Sequence, residues 1–322
     1  SFLLGDRTFD HPPPGASRGV VMKPESLLSL LTTNANSCGV RPAVHFKDAG
    51  DYVSWSWREV FDETRALSSG LIALGVNSGD RVSLVSNTRL EWVLSDLGII
   101  GAGGVTVPVF AQSVADEVQY VIEHSEAKVA IVEDPTQVAK LRAERHRLPG
   151  LEKVIQIEGR VYSGDDDWVI SLEELKDLGR SVTEAELRSR WHSVTPESVY
   201  TVIYTSGTTG RPKAVITTHK SMLYVAQAIA SIDVIQESDV QLLFLPLAHV
   251  FGRVLMVAWL KTRHELAFAE SATTLRENLL EVKPTLFCGV PRVFEKFYSE
   301  LVQGVASKGP ITQSLLVKVL AF

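Results

Sequence analysis

Apolar residues return at regular spacings along most of the chain, and the spacing alternates between helical and strand periods. Between Trp57 and Gly75 an apolar side chain recurs every three or four residues, which predicts an amphipathic helix that ends at the glycine. Short runs rich in β-branched residues predict buried strands at 81–85, 104–109, 128–132, 153–157 and 198–204. Helical patterns lie between the first four of these runs, at 90–100, 114–122 and about 136–147, with Ser113 as the expected cap of the second. This alternation is typical of a parallel, doubly wound sheet.

A second alternating block begins near residue 239. Its predicted strands cover 241–245, 265–269 and 285–290, and its predicted helices cover about 251–260, 272–282 and 292–303. We therefore predict an α/β fold of stacked, doubly wound and mainly parallel sheets with helices on both faces. The predicted domains are an irregular N-terminal lead-in over 1–55, a first α/β subdomain over 56–235 and part of a second over 236–322.

Composition narrows the classes of partner. The chain has 322 residues, of which 45% are hydrophobic and 22% charged, as expected of a folded globular protein. Its net charge of -6 gives no electrostatic reason to expect a nucleic-acid partner. The longest apolar stretch, 97–111, is interrupted by glycines and a proline and predicts no transmembrane segment. The sequence leaves peripheral membrane contact and the oligomeric state open.

The cysteines indicate the redox compartment of the protein, and the cysteines and acidic residues together bear on whether it binds a metal ion. Cys38 and Cys288 are the two cysteines and lie far apart in sequence, so neither a disulfide framework nor a zinc spacing is available. With no secretory signal at the N-terminus, we expect a cytoplasmic location. Three adjacent aspartates at 165–167 predict a solvated insertion rather than a metal site, because neighbouring carboxylates do not converge on one ion. We predict no protein metal site.

The most informative stretch is the loop from Thr205 to Lys213, between the strand at 198–204 and a second β segment at 214–218. Within nine residues it holds four hydroxyl side chains, two glycines and a lysine. Glycines let backbone N–H groups turn toward an anion, hydroxyls donate to phosphate oxygens, and the lysine neutralises charge. The loop is not a Walker A motif, because Pro212 precedes the lysine and Ala214 follows it. The residues predict a phosphate-binding loop at the carboxyl end of a strand.

This loop resembles the phosphate-binding motif of adenylate-forming enzymes, the superfamily of acyl-CoA synthetases, firefly-type luciferases and peptide-synthetase adenylation domains. The resemblance continues through several blocks, at 70–76, 79–82, 101–108, 245–251 and 290–296. It covers most of the chain from about residue 55 and is strongest to bacterial long-chain fatty-acid–CoA ligases. The fold that it implies is the incomplete N-terminal core of an adenylation domain.

The resemblance implies a two-step reaction. A fatty-acid carboxylate attacks the α-phosphate of ATP to give an acyl-adenylate and pyrophosphate, and coenzyme A then forms the thioester. Fatty acid, ATP and CoA are the implied small-molecule substrates, and Mg²⁺ is expected on the ATP. Because two anions must meet, the chemistry needs fixed donors and cations.

The resemblance also assigns roles to residues. It implies that His249 contacts the carboxylate and α-phosphate region as the catalytic residue, and that Phe251 lines the acyl pocket. The implied ATP-binding residues are Thr205, Ser206, Gly207, Thr208, Thr209, Gly210 and Lys213. Two positions depart from the family pattern. Ala214 stands where the family has glycine, which would add strain if φ were positive there, and Arg253 stands where some relatives have an aromatic gate.

Motifs that the family carries further along are not found in these 322 residues. They are an adenine-binding strand, a Tyr-Gly-x-Thr-Glu motif, a ribose-binding aspartate and a C-terminal lid domain with an essential lysine. We therefore expect the chain to be part of a longer acid–thiol ligase and to be inactive alone. Two alternatives stay open at this point: a non-catalytic nucleotide- or acyl-binding half-core, and an adenylate-forming enzyme for another carboxylic acid.

Overall fold

Two stacked β-sheets organise the chain. The computed structural model describes residues 26–161, 167–205 and 210–306, with side chains up to residue 299. Within these ranges the strands are β1 Pro42–Asp48, β2 Asp51–Ser56, β3 Arg81–Val85, β4 Val105–Val109, β5 Val129–Val132, β6 Lys153–Gln156, β7 Val169–Ser171, β8 Val199–Thr205, β9 Lys213–Thr218, β10 Val240–Leu243, β11 Glu265–Phe268 and β12 Leu286–Phe287.

Helices connect most of these strands. They are α1 Leu27–Ser37, α2 Trp57–Ala73, α3 Leu90–Gly101, α4 Ala115–His124, α5 Pro135–Ala143, α6 Leu172–Gly179, α7 Glu184–His192, α8 His219–Ser231, α9 Val250–Thr262, α10 Leu275–Val282 and α11 Pro291–Ala306. A short 3₁₀ helix, Arg145–Arg147, follows α5. In the described part of the chain no helix is both long and apolar enough to cross a bilayer.

The larger sheet has seven strands in the order β7-β6-β5-β3-β4-β8-β9. Its first six strands run parallel, and β9 closes the edge as an antiparallel partner of β8. The central strands are buried almost throughout, as the runs of β-branched residues predict. The predicted parallel, doubly wound sheet is confirmed.

The smaller sheet has five strands in the order β12-β10-β11-β1-β2. Three of them come from the second predicted block, and the other two form a hairpin near the N-terminus. The hairpin joins the sheet because β1 pairs in parallel with β11, Val44 opposite Leu266. The predicted irregular lead-in over 1–55 is therefore wrong for residues 26–55, which form α1, β1 and most of β2; residues 1–25 lie outside the described ranges.

Apolar clusters show how the layers stack. The largest cluster lies between the two sheets and contains one face of each, together with apolar residues of α2, α3 and α9. A second cluster packs α4 and α5 on the other face of the larger sheet. A third packs α10 and α11 on the other face of the smaller sheet. Helices thus cover both faces of both sheets, which confirms the predicted stacked α/β arrangement.

One local expectation is wrong, two elements are additional, and one expectation lies partly outside the described residues. Ser113 does not cap α4, because Val114 is the residue with extended backbone before the first turn. Strand β7 and helix α8 are additional elements that the sequence pattern did not predict. The predicted solvated insertion with its three aspartates falls partly on residues 162–166, which lie outside the described ranges; Asp167 is fully exposed. Gly75 has φ of +95°, as expected for a glycine that ends α2.

Candidate functional site

The carboxyl ends of strands from both sheets meet around one cleft of about 370 Å³. The larger sheet contributes the segments that follow β3 and β4, and the smaller sheet contributes those that follow β10 and β11. The cleft is lined by Ser86, Asn87, Thr88, Phe110, Ala111, Gln112, Phe244, Pro246, Ala248, Ala269, Glu270, Ser271 and Ala272. Ligands of open α/β sheets bind outside the carboxyl ends of the strands, so this cleft is the candidate site.

The predicted phosphate loop connects β8 to β9 at the same edge of the larger sheet. Thr205 and Lys213 are opposite each other in the last paired position of this hairpin. Gly210 has φ of +120°, a conformation that side chains other than glycine rarely adopt. Ser206, Gly207, Thr208 and Thr209 lie outside the described residues. The structure therefore gives the base of the loop and leaves the roles of all seven predicted ligands as predictions.

An aromatic cluster of Tyr120, His124 and Tyr204 supports the base of the loop. Tyr120 donates its hydroxyl hydrogen to the carbonyl oxygen of Pro212 at 3.2 Å, and the Arg211 guanidinium lies 4.8 Å from the centre of the Tyr120 ring. His124 Nδ1 and the Tyr204 hydroxyl are 2.8 Å apart. Burial raises the pKa of Tyr204 to about 12, so its hydroxyl stays protonated at neutral pH. Helix α4 thereby holds the loop at both ends.

Lys213 is exposed, and no carboxylate pairs with it among the residues that the structure describes. An exposed ammonium beside a loop of hydroxyls and glycines can neutralise an anionic ligand. The next residue, Ala214, lies in β9 opposite Tyr204 and is not among the residues with positive φ. The strain that alanine would add in a left-handed conformation therefore does not arise.

His249 is the N-cap of α9. Its Nδ1 accepts a hydrogen bond from the backbone N–H of Phe251 at 3.3 Å, which assigns the proton of the neutral ring to Nε2. The ring is exposed and lies at the end of a helix that favours negative charge. His249 can therefore offer an Nε2–H donor to an anion at this end of α9.

The lining of the cleft includes Ala248, the residue before His249, but neither His249 nor Phe251. Phe251 is 37% exposed in the first turn of α9. An aromatic side chain with that much exposure is open to solvent or to a ligand, and its predicted place in an acyl pocket stays a prediction. The structure thus places His249 next in sequence to a lining residue of the cleft but not in the lining itself.

Thr88 is a residue of the cleft that the sequence did not single out. Its hydroxyl donates to the carbonyl oxygen of Leu245 at 2.8 Å and accepts from the backbone N–H of Leu247 at 3.1 Å. The loop after β3 in the larger sheet is therefore bonded to the segment that leads from β10 to His249. A lone threonine after a strand carries no sequence signal for such a contact, because its partners are backbone groups about 160 residues away.

Arg253, the second departure from the family pattern, is fully buried one turn after His249. It forms an ion pair with the buried Asp96 of α3, with 2.8 Å between Nη2 and Oδ1. Its guanidinium also lies 4.3 Å from the centre of the Tyr200 ring. At the position where the resemblance would place an aromatic gate, this chain has a paired cation between α3, α9 and β8.

His219 begins α8 and is buried against this charged cluster. Its ring centre is 5.4 Å from that of Tyr200, and its Nδ1 accepts from the backbone N–H of Leu27 at 3.4 Å. Burial lowers the pKa of His219 from 6.5 to about 4. Its role is therefore structural, and the ring is neutral at pH 7.

We expect stability to fall as the pH drops from 6.5 toward 4, since the unfolded chain then binds a proton at His219 that the folded protein does not. Lowering the pH from 7 to 5 should cost about 2 kcal/mol through this group. Urea denaturation of a His219→Gln variant should show that much less pH dependence. The exposed His192 supplies the control, and a His219→Gln variant with the pH dependence of His192→Gln would contradict the prediction.

No group of three or more His, Cys, Asp or Glu side chains in the described ranges could hold a metal ion. A magnesium ion that enters on a nucleotide needs no such cage, because Mg²⁺ at phosphate sites keeps water ligands and takes one or two carboxylates at most.

Comparison with known proteins identifies relatives that match most of the chain. The sequence profile of the AMP-binding enzyme family matches residues 31–319. The long-chain-fatty-acid–CoA ligase FadD15 of Mycobacterium bovis is 35% identical over 278 residues, which cover 82% of this chain and 45% of the relative. The chain spans about half the length of the curated relatives that it matches.

Solved structures share the fold. A long-chain-fatty-acid–CoA ligase from Archaeoglobus fulgidus, FadD1, superposes with a TM-score of 0.73 at 22% identity, covering 86% of this chain and 54% of that one. The anthranilate–CoA ligase AuaEII, solved in complex with anthranoyl-AMP, gives a TM-score of 0.70 at 24% identity, covering 84% of this chain and 50% of that one. At these identities the likeness establishes the fold.

Proposed function

The chain belongs to the AMP-binding enzyme family, and from this membership we propose that it is the ATP-binding N-terminal part of a long-chain fatty-acid–CoA ligase. The observation that carries the proposal is the hairpin of β8 and β9, which brings Thr205 and Lys213 together at the base of the glycine- and hydroxyl-rich loop. The similarity to FadD15 supports a fatty acid as the substrate.

The proposed reaction has two steps. In the first, a carboxylate oxygen forms a bond to the α-phosphorus of ATP, and the bond from that phosphorus to the bridging oxygen breaks to release pyrophosphate. In the second, the thiolate of CoA attacks the acyl carbonyl carbon and AMP leaves. Both steps bring anions together, so catalysis rests on positioning and on neutralisation of charge.

In this proposal the loop holds the β- and γ-phosphates. The hydroxyls of Thr205, Ser206, Thr208 and Thr209 donate to phosphate oxygens, and the glycines at 207 and 210 let the backbone approach them. Lys213 supplies the cation, and its lack of a carboxylate partner among the described residues supports that role. ATP enters as its magnesium complex.

His249 is proposed to contact the carboxylate and the α-phosphate through Nε2. The bond that Nδ1 accepts from Phe251 fixes the ring and supports this assignment. Phe251, in the same turn, is proposed to line the acyl pocket. The two free cysteines support our proposal of a reducing, cytoplasmic location.

The proposal predicts that Lys213→Met weakens binding of MgATP by about 10-fold or more, because a hydrogen bond to a charged group contributes about 1.5–3 kcal/mol. Isothermal titration calorimetry of the purified chain measures the effect. The matched control is Lys220→Met, since Lys220 is another exposed lysine, lies on α8 beside Glu197 and should leave the affinity unchanged.

Unchanged MgATP affinity in Lys213→Met would contradict the proposed loop function. The acid is identified in the same protein by thermal shift with non-hydrolysable adenylates of palmitate, benzoate and an amino acid. We expect the palmitoyl analogue to stabilise the chain most, because a ligand that binds only the folded state raises its stability in proportion to the logarithm of its concentration over Kd. Preference for the benzoyl or aminoacyl analogue would contradict the fatty-acid assignment.

A further inference from the structure

Asp96, Tyr200 and Arg253 form a cluster of polar side chains that we call the buried bridge. All three are fully buried between α3, β8 and α9. Arg253 Nη2 donates to Asp96 Oδ1 at 2.8 Å, and the Tyr200 hydroxyl donates to Asp96 Oδ2 at 2.6 Å. Burial raises the pKa of Tyr200 well above its usual value, so the hydroxyl stays a donor. One carboxylate therefore joins a strand to a helix.

Each arm of the buried bridge leads to one half of the proposed site. Tyr200 lies on β8, the strand that ends at Thr205 and continues into the phosphate loop. Arg253 lies on α9, and its backbone N–H bonds to the carbonyl oxygen of His249 at 3.3 Å. Asp96 is thus bonded both to the strand that ends at Thr205 and to the helix that begins after His249.

Stability alone does not explain why these groups are charged. Taking an ion pair out of water costs several kcal/mol per ion, and well-packed apolar residues in its place are often neutral or stabilising. Here Arg253 Nε and Nη1 are buried without a hydrogen-bond partner in the described ranges, which adds to the cost. A directional ion pair fixes the relative position of its two groups, because its hydrogen bonds specify distance and angle. An apolar contact does not.

We propose that Asp96 is a positioning residue that fixes His249 relative to Thr205, at the end of β8, through Arg253 and Tyr200. The inference rests on the proposed function of the loop and of His249. The proposal assigns a role to a carboxylate that contacts no substrate. It also predicts that a variant can bind the nucleotide at the loop and still lose the effect of that nucleotide on His249.

The test is an apolar replacement of the whole bridge, Asp96→Leu with Tyr200→Phe and Arg253→Met, which keeps the side-chain shapes and leaves no charge unpaired. The readout is the NMR chemical shift of the His249 ring protons, measured with and without MgATP, and the signal is assigned by its loss in His249→Gln. In the unaltered chain, binding of MgATP should move this signal, because the polyphosphate then lies close to the ring. The control is Trp259→Phe, which loosens the same helix without touching the bridge.

We expect the apolar variant to bind MgATP with an affinity within about 3-fold of the unaltered chain and to lose more than about half of the change that MgATP causes in the His249 chemical shift. Trp259→Phe should lower the midpoint of thermal unfolding and keep the full shift. A full shift in the apolar variant would overturn the proposal. If that variant does not fold, Tyr200→Phe alone cuts the arm to β8, and a full shift there overturns the proposal equally.

Failure of the proposed function gives a different result. If the unaltered chain binds no MgATP, the loop assignment fails. The positioning role of Asp96 is then tested in the ligand-free protein. Amide hydrogen exchange over residues 249–253 should be faster in the bridge variants than in Trp259→Phe, because the first turn of α9 is no longer held from β8. Equal exchange in the bridge variants and the control would overturn the positioning role.

Discussion

Replacing Asp96 by alanine is expected to lower the free energy of unfolding by about 3–5 kcal/mol, one of the two largest effects that we predict. The change leaves the Arg253 guanidinium buried without a counter-ion and the Tyr200 hydroxyl without an acceptor. An unpaired buried charge costs far more than the pair contributes, because its hydration is lost and nothing replaces it. Urea denaturation followed by tryptophan fluorescence measures the loss.

A second substitution separates the destabilisation caused by the unpaired charge from the contribution of the ion pair to stability. In Asp96→Ala with Arg253→Met the charge is gone, and at least half of the lost stability should return. Asp177→Ala is the control, since Asp177 pairs with Arg180 on an exposed face of α6 and should change stability by less than about 1 kcal/mol. Equal effects of Asp96→Ala and Asp177→Ala would contradict the prediction.

Trp57→Ala should cost about 3–5 kcal/mol, the second large effect. Trp57 is fully buried at the start of α2 and stacks on Trp259 of α9, with 4.6 Å between ring centres. Its loss leaves a cavity between the N-terminal hairpin and the helix that carries His249. The midpoint of chemical denaturation of purified Trp57→Ala measures the effect.

Phenylalanine at the same position fills most of the cavity. Because Trp57 Nε1 has no hydrogen-bond partner in the described ranges, Trp57→Phe loses packing alone and should cost about 1–2 kcal/mol. Tyr224, which is 76% exposed, supplies the control in Tyr224→Ala. If Trp57→Ala is no more destabilising than Tyr224→Ala, the stack of Trp57 on Trp259 does not stabilise the packing of α2 against α9.

The sequence predicted the larger sheet well because its signal is local. Strands β3 to β6 are short runs of buried β-branched residues, and each is separated from the next by a helix with one apolar face. Periodicity within ten to twenty residues is enough to identify such units. The N-terminal hairpin gave no comparable signal, because β2 has no fully buried residue and β1 is placed by a partner near residue 266.

For the candidate site the same contrast applies. The loop at 205–213 could be identified from its composition. In the structure the base of this loop lies at the carboxyl end of β8, as expected. The contacts that hold the site together could not be predicted, since Thr88 bonds to backbone groups and Asp96 pairs with a residue 157 positions away. Arg253 was noticed only as a departure from a pattern, and its burial and pairing are properties of the packed molecule.

The pairing of β1 with β11 has a consequence for how the protein is made. Val44 leaves the ribosome about 220 residues before its partner Leu266. Proteins are synthesised at about 5–20 residues per second, so β11 is completed roughly 10–40 s after β1. During that interval one edge of β1 is an unpaired template with exposed backbone donors and acceptors, the kind of edge that recruits other chains. A nascent chain of this protein should therefore depend on chaperone protection from the emergence of β1 until β11 has been synthesised.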